Sequence, residues 1–290
     1  MPGRFVQRLH GLSKTEVWLW SDDGERWRVR KVAADEAVSR RLQLQLTKQQ
    51  RLVDAVDAPV RVPEVLDQGT VDGRFWFDMA FVHGIDAPTY LRRGQADDVI
   101  RFTAQLVDYV QWAWAADPWD GGTSTDLFDG LFGRLCAVRR ACEDMSPTTF
   151  ERLALSLERW RGDPVGRTWC HGDLTLENIQ VDRNGDLWFF DLLDAPHEHV
   201  FQDVAKLHQD LAGSWYRRTH ERVSAASLRH VSDAVTRAAT ALDDRYQQLH
   251  PVLVAMCFAR ILPYAESDAD RAAVRRGLEF FVNIIDPEKG

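Results

Sequence analysis

Near residue 85 the spacing of apolar residues in this chain changes from every second position to every third or fourth, and that switch restricts the possible folds more than any other feature. Before it, short alternating runs rich in Val, Trp and Phe are broken by turn signals. Glu16 to Trp20 and Trp27 to Val32 flank Ser21-Asp22-Asp23-Gly24, which has the composition of a hairpin turn. Residues 35–56 predict a helix, since Leu42, Leu46 and Val53 follow three-to-four spacing and Gly and Pro are absent. Pro59 and Pro63 close that helix, and Phe75 to Val82 reads as another strand after Asp72-Gly73. The expectation is a small β-rich lobe with one long helix.

From about Ala87 onward helices dominate, with apolar faces at Ile100, Leu106, Val110 and Trp114 and at Leu127, Leu131, Leu135 and Val138. Ser146-Pro147 reads as a helix cap followed by proline at the first helical position. Two short strands, Ile179 to Val181 and Leu187 to Phe190, interrupt the helical run around Asn184-Gly185, and helices resume from Asp203. The predicted class is therefore α+β and bilobal, with residues 1–84 as the amino-terminal lobe and 85–290 as the helical lobe. One short crossing near Phe81 to Gly84 joins them.

At 290 residues and 45% hydrophobic, the chain can bury a sizeable core in one large domain or two lobes. The first twelve residues lack a signal-peptide core, and no uncharged apolar run reaches the roughly 18 residues of a membrane span. These features predict a cytoplasmic protein without a membrane partner. Four cysteines, Cys136, Cys142, Cys170 and Cys257, show no C-x-x-C spacing and read as buried free thiols. A net charge of −8 argues against a nucleic-acid partner, which needs a basic surface. Residues 1–85 carry 13 Lys+Arg against 12 Asp+Glu, so the remaining 205 carry 23 against 32. That excess reads as a solvated acidic surface; if it lines an acceptor site, a neutral or cationic acceptor is easier to place there than an anion.

The chemistry is concentrated in His171-Gly172-Asp173-Leu174-Thr175-Leu176-Glu177-Asn178, with Asp191 thirteen residues after Asn178 at the end of an apolar strand. These residues resemble the H-x-D-x-x-x-x-N catalytic loop and the metal-binding aspartate of the protein-kinase superfamily. The glycine after the histidine and the Leu-Thr-Leu within the loop are similar to the branch of aminoglycoside phosphotransferases, choline kinases and related small-molecule kinases. Arg41-Leu42, Lys48-Gln49, Asp203-Val204-Ala205-Lys206-Leu207 and Gln209-Asp210 look more like bacterial phosphotransferases of sugar and polysaccharide metabolism than like antibiotic-resistance kinases. The resemblance implies a protein-kinase-like fold and use of ATP and Mg2+. It makes Asp173 the catalytic base, Asn178 and Asp191 the metal ligands, His171 a support of the loop and Asp203 a brace. Phosphoryl transfer needs alignment and charge neutralisation more than covalent work, which is why one carboxylate, one amide oxygen and a second carboxylate suffice.

In the amino-terminal lobe, Lys31 resembles the lysine that pairs with the α/β-phosphates, with Arg30 on the opposite strand face as the competing candidate. Gly11-Leu12-Ser13-Lys14-Thr15 is similar to a phosphate-covering turn, which makes Ser13 a nucleotide contact. Val17 is expected over the adenine, and Ala80 and Val82 at the hinge where backbone atoms read it. Residues 37–63 contain no glutamate to hold the lysine, which leaves Gln45, Gln49 or Glu36 as its expected partner. Asp191-Leu192-Leu193-Asp194 also lacks the glycine of D-F-G.

Eleven residues between Asp191 and Asp203 are too few for an activation segment, and Gly172 removes the arginine that a phosphorylated loop would grip. Both favour a small-molecule hydroxyl acceptor over a protein. The expected acceptor is a sugar or sugar derivative, with an aminoglycoside as the alternative and Asp210, Trp215 and Tyr216 as candidate contacts. Two further alternatives are a non-catalytic nucleotide-binding regulatory protein and a nucleotidyl transferase. His197-x-His199 reads as a solvated pair and not as a metal site.

Overall fold

A computed structural model describes residues 4–9, 15–21, 26–116, 127–142, 145–162, 165–193, 198–265 and 267–285. It divides into two compact units, Met1–Ile85 with Ile179–Asp194, and Asp86–Asn178 with Ala195–Gly290. The first break lies one residue from the expected 84/85 boundary. The 179–194 hairpin, expected within the helical lobe, groups with the amino-terminal unit.

The first unit is built on an antiparallel sheet of β1 (Arg4–Leu9), β2 (Thr15–Ser21), β3 (Trp27–Ala33), β4 (Val65–Val71) and β5 (Arg74–Ala80) in the order β1-β2-β3-β5-β4. The edge strand β4 was not legible as a strand, because VLDQGTV is largely exposed and does not alternate. It turns into β5 through Asp72 and Gly73, both at positive φ, as a two-residue hairpin of matching twist requires. Helix α1 (Glu36–Asp54) starts where the Asp35 carboxylate accepts the Val38 N–H at 2.8 Å.

β5 is buried on both faces, and its period-two pattern separates two environments. Phe75, Phe77 and Met79 join Val29, Leu42 and Leu46 in the core under α1. On the other face Asp78, fully buried, takes a bidentate pair from Arg30 at 2.7 and 2.8 Å. Trp20 and Trp76 stand 4.8 and 3.9 Å from that guanidinium, which accounts for two of the chain's many tryptophans.

Strands β6 (Gly84–Asp86), β7 (Ile179–Asp182) and β8 (Leu187–Phe189) form a second sheet. The Arg61 main chain holds β8, donating to the Leu187 carbonyl at 2.9 Å and accepting the Phe189 N–H at 2.8 Å. Gly84 is required where it stands, since a Cβ there would lie 2.9 Å from the Val181 carbonyl oxygen.

The second unit is helical: α2 (Ala87–Arg93), α3 (Ala96–Ala115), α4 (Leu127–Ala141), α5 (Pro147–Arg159), α6 (Val200–Leu211), α7 (Ala225–Leu242), α8 (Tyr246–Ile261) and α9 (Asp268–Ile284). Ser146 caps α5 with Pro147 at its first position, as expected. α6 starts at Val200, three residues before the expected Asp203, because the buried His199 caps it by accepting the Phe201 N–H. α8 is buried almost all round and is the central helix of this unit, packed by α4, α6 and α9. Gly277 lets α9 approach Phe258, whose ring a Cβ would meet at about 2.5 Å. No described helix is long and apolar enough to cross a membrane.

Candidate active site

The candidate site residues are divided between the two units. In the first, Lys31 is buried beside Phe77 on the core face of β3, and its ammonium pairs with the Asp191 carboxylate. Arg30, occupied by Asp78 on the opposite face, is thereby excluded as the cleft cation. The expected helix partners do not serve Lys31. The Gln49 amide donates to the Pro63 carbonyl at 2.6 Å, and neither Gln45 nor Glu36 bonds to the lysine. The missing glutamate is thus replaced from the hairpin and not from α1. α1 instead sends inward a fully buried lysine, Lys48, which donates to the Leu193 carbonyl at 2.7 Å. Asp191 itself adopts φ 58°, a left-handed conformation that Asp tolerates better than most residues, and its side chain is half exposed.

Val17 pairs with Lys31 in the β2–β3 ladder and packs on the core. The Ala80 N–H is taken by the Glu64 carbonyl, so only its carbonyl is available to a base, whereas the Val82 N–H makes no hydrogen bond among the described residues. Both line an open groove with Val62, Glu64 and Trp188, to which Val17 and Lys31 do not contribute. Ser13, Asp194 and His197 fall outside the described residues.

In the second unit one helix sets the catalytic loop residue by residue. Asp203, Lys206 and Asp210 lie at i, i+3 and i+7 of α6, on one face. Asp203, buried, accepts the His171 and Gly172 N–H groups at 2.6 and 2.9 Å and the Tyr109 hydroxyl at 2.7 Å. Lys206 reaches Asp173 at 3.0 Å, and Asp210 accepts the Leu176 N–H at 2.8 Å. The brace expected of Asp203 is therefore present and extends over two turns. Asp210 and Tyr216 are fully buried and belong to this support, not to an acceptor surface. The Tyr216 hydroxyl accepts the Val223 N–H, and half-buried Trp215 stacks under Arg218.

Burial pushes the Asp173 carboxyl up, but the Lys206 ammonium beside it, helped by His171 and Arg260, more than offsets this and holds it below the ordinary carboxylate value. Asp173 is thus ionised throughout the neutral range and able to accept a hydrogen bond from a hydroxyl. The Asn178 amide nitrogen donates to the Asp173 carbonyl at 2.8 Å, which leaves its amide oxygen for a hard cation. No group of three or more His, Cys, Asp or Glu that could hold a metal exists among the described residues. Mg2+ would need no such group, since it binds through one or two protein oxygens and completes its shell with phosphate and water. Lys206 could not have been recognised from the sequence as a partner of Asp173, because 33 positions separate them and only the fold joins them.

A small antiparallel sheet unit with one long helix, a helical unit, and an H-G-D-x-x-x-x-N loop braced by a helix define a protein-kinase-like small-molecule kinase fold. The family model described as "Phosphotransferase enzyme family" matches residues 4–242, and the chain belongs to that family. Among solved structures it is similar to a GDP and kanamycin complex of an APH(2") enzyme, with 17% identity, a TM-score of 0.68 and 97% and 92% of the two chains covered. It is also similar to an aminoglycoside-3'-phosphotransferase of type VIII, with 22% identity, a TM-score of 0.55 and 97% and 94% covered. A third is the choline kinase LicA of Streptococcus pneumoniae, with 12% identity, a TM-score of 0.59 and 96% and 94% covered. No curated protein matches the sequence.

Proposed function

We propose that the protein is an ATP- and Mg2+-dependent cytoplasmic kinase that phosphorylates a hydroxyl of a small molecule, a sugar or sugar derivative, with no nucleic-acid or membrane partner. The observation that supports this most is the ionised Asp173, held by Lys206 on a loop whose amides α6 fixes. Asp173 aligns the acceptor hydroxyl and takes its proton as the new oxygen–phosphorus bond forms and the bond from the γ-phosphorus to the β-bridging oxygen breaks, releasing ADP. Lys31 steadies the α/β-phosphates, Val17 covers the base, and the Ala80 carbonyl and Val82 N–H read it. Asn178 and Asp191 would hold Mg2+, which supplies charge neutralisation at the phosphates. An aminoglycoside hydroxyl is the second reading, favoured by the acceptors named for the structural relatives.

The test is Mg2+-dependent nucleoside diphosphate release from ATP and from GTP over a panel of sugars, sugar derivatives and aminoglycosides, with Asp173→Asn as control. Acceptor-dependent release that disappears in the control supports the kinase. Release unaffected by Asp173→Asn would remove Asp173 as the base, and a nucleoside monophosphate attached to the acceptor would make the protein a nucleotidyl transferase.

A further inference from the structure

In the amino-terminal unit the segment that follows β8, Asp191-Leu192-Leu193-Asp194, carries no glycine, yet Asp191 stands at φ 58°. A residue with a side chain keeps a left-handed conformation only where its neighbours fix the chain on both sides. Before Asp191 the chain is fixed by the Phe189 N–H, which donates to the Arg61 carbonyl at 2.8 Å. After it Leu192 is fully buried, and the Leu193 carbonyl accepts the Lys48 ammonium of α1 at 2.7 Å. The Asp191 side chain is held separately, by the Lys31 ammonium.

Lys48 has no exposed surface, so its ammonium has given up its hydration entirely. It lies among the buried residues of α1 with Leu42, Leu46 and Leu52, where an apolar side chain of the same length would escape that loss. What the charge supplies instead is a strong donor to a main-chain oxygen 145 positions away, two residues beyond Asp191. The two lysines also differ in what the proposed reaction asks of them. Once nucleotide is bound, Lys31 has phosphate oxygens to serve as well as Asp191, and its hold on that carboxylate weakens when the carboxylate is needed. The Lys48 contact is to the main chain and can persist through that exchange.

We propose that Lys48 is a positioning residue: by gripping the Leu193 carbonyl it fixes the backbone that carries Asp191, and so keeps that carboxylate in place for Mg2+ after Lys31 has turned to the phosphates. The proposal rests on the kinase reading, in which Asp191 is a metal ligand, and adds to it the residue of α1 that takes over from the missing helix glutamate. The replacement has the opposite charge and acts on the opposite partner. A helix glutamate would hold Lys31, whereas Lys48 holds the segment of Asp191.

Calorimetric titration of AMP-PNP into the full chain, once with Mg2+ and once with EDTA, measures how far the metal strengthens nucleotide binding. Lys48→Met removes the donor and keeps the length of the side chain. It is expected to cut the Mg2+-dependent gain in affinity by about ten- to hundredfold, as loss of a residue that orients a metal ligand does, and to leave binding in EDTA unchanged. The melting temperature of the ligand-free variant should not fall, because a buried charge has been removed. Lys48→Arg keeps a cationic donor and should retain most of the gain. If Lys48→Met does not fold, Lys48→Gln takes its place with the same expectation, since its shorter amide stays polar but falls short of the Leu193 carbonyl. An unchanged Mg2+-dependent gain, or an equal loss of affinity with and without the metal, would overturn the proposal and leave the kinase reading standing. Wild-type protein whose AMP-PNP binding gains nothing from Mg2+ would remove the metal role of Asp191, and the proposal with it.

Discussion

Asp173 and Asp210 sit 37 positions apart and are served by the same helix, yet their ionisation is driven in opposite directions. At Asp173 the Lys206 ammonium outweighs burial, so Lys206→Met raises the carboxyl pKa and moves the acidic limb of the kcat/KM profile to higher pH. A loss of about ten- to hundredfold in kcat should accompany it, and an acidic limb that stays in place would show that Lys206 does not act through the base. At Asp210 burial dominates and pushes the pKa up to about 7. The folded chain therefore keeps a proton that the unfolded chain releases from about pH 4, so Asp210 makes stability fall as pH rises from about 4 to about 7 and is neutral to pH above that. Asp210→Asn keeps an oxygen for the Leu176 N–H and should raise stability at pH 8 by about 1–3 kcal/mol while flattening that slope, as denaturant titrations at pH 5 and pH 8 would reveal. At this scale the sequence singles out His171, Asp173, Asn178 and Asp191 as candidates, because their identities and spacing are local. It does not single out Lys206, whose pairing with Asp173 exists only once the fold lays α6 against the loop.

Elements were legible where their period was strong. Helix α1 and the β4–β5 turn follow from apolar spacing and from Asp72-Gly73, whereas β4 itself, exposed and non-alternating, gave no periodic signal. The start of α6 was misplaced because His199, a weaker capping signal than Ser or Asp, serves as the N-cap. Packing also overrides propensity at named positions. Ala in place of Gly277 would gain about 1 kcal/mol of helix propensity. Crowding against Phe258 costs more than that, so Gly277→Ala is expected to destabilise by about 1–2 kcal/mol net in urea unfolding. In the sheet, Asp78→Ala leaves the Arg30 guanidinium without its carboxylate between two indoles, and a loss of about 3–5 kcal/mol should appear as a lowered denaturation midpoint.

For the molecule as a whole, the amino-terminal unit forms within itself the pair Lys31 with Asp191, to which the proposed function assigns phosphate and metal binding, and the helical unit carries Asp173, the proposed base. AMP-PNP with Mg2+ at a hundred times its dissociation constant should add about 2.7 kcal/mol to the wild-type stability and raise its melting temperature by several degrees. Asp191→Ala should lose most of that Mg2+-dependent shift, and a full shift in the variant would remove Asp191 from metal binding. The brace along α6 has a different kind of consequence. The amide protons of His171, Gly172 and Leu176 are bonded to carboxylates on a helix roughly thirty positions away, so solvent reaches them only when α6 opens. Their deuterium uptake is then a clock for α6 and not for the loop that contains them. A ligand that never touches the loop but clamps α6 would slow that clock.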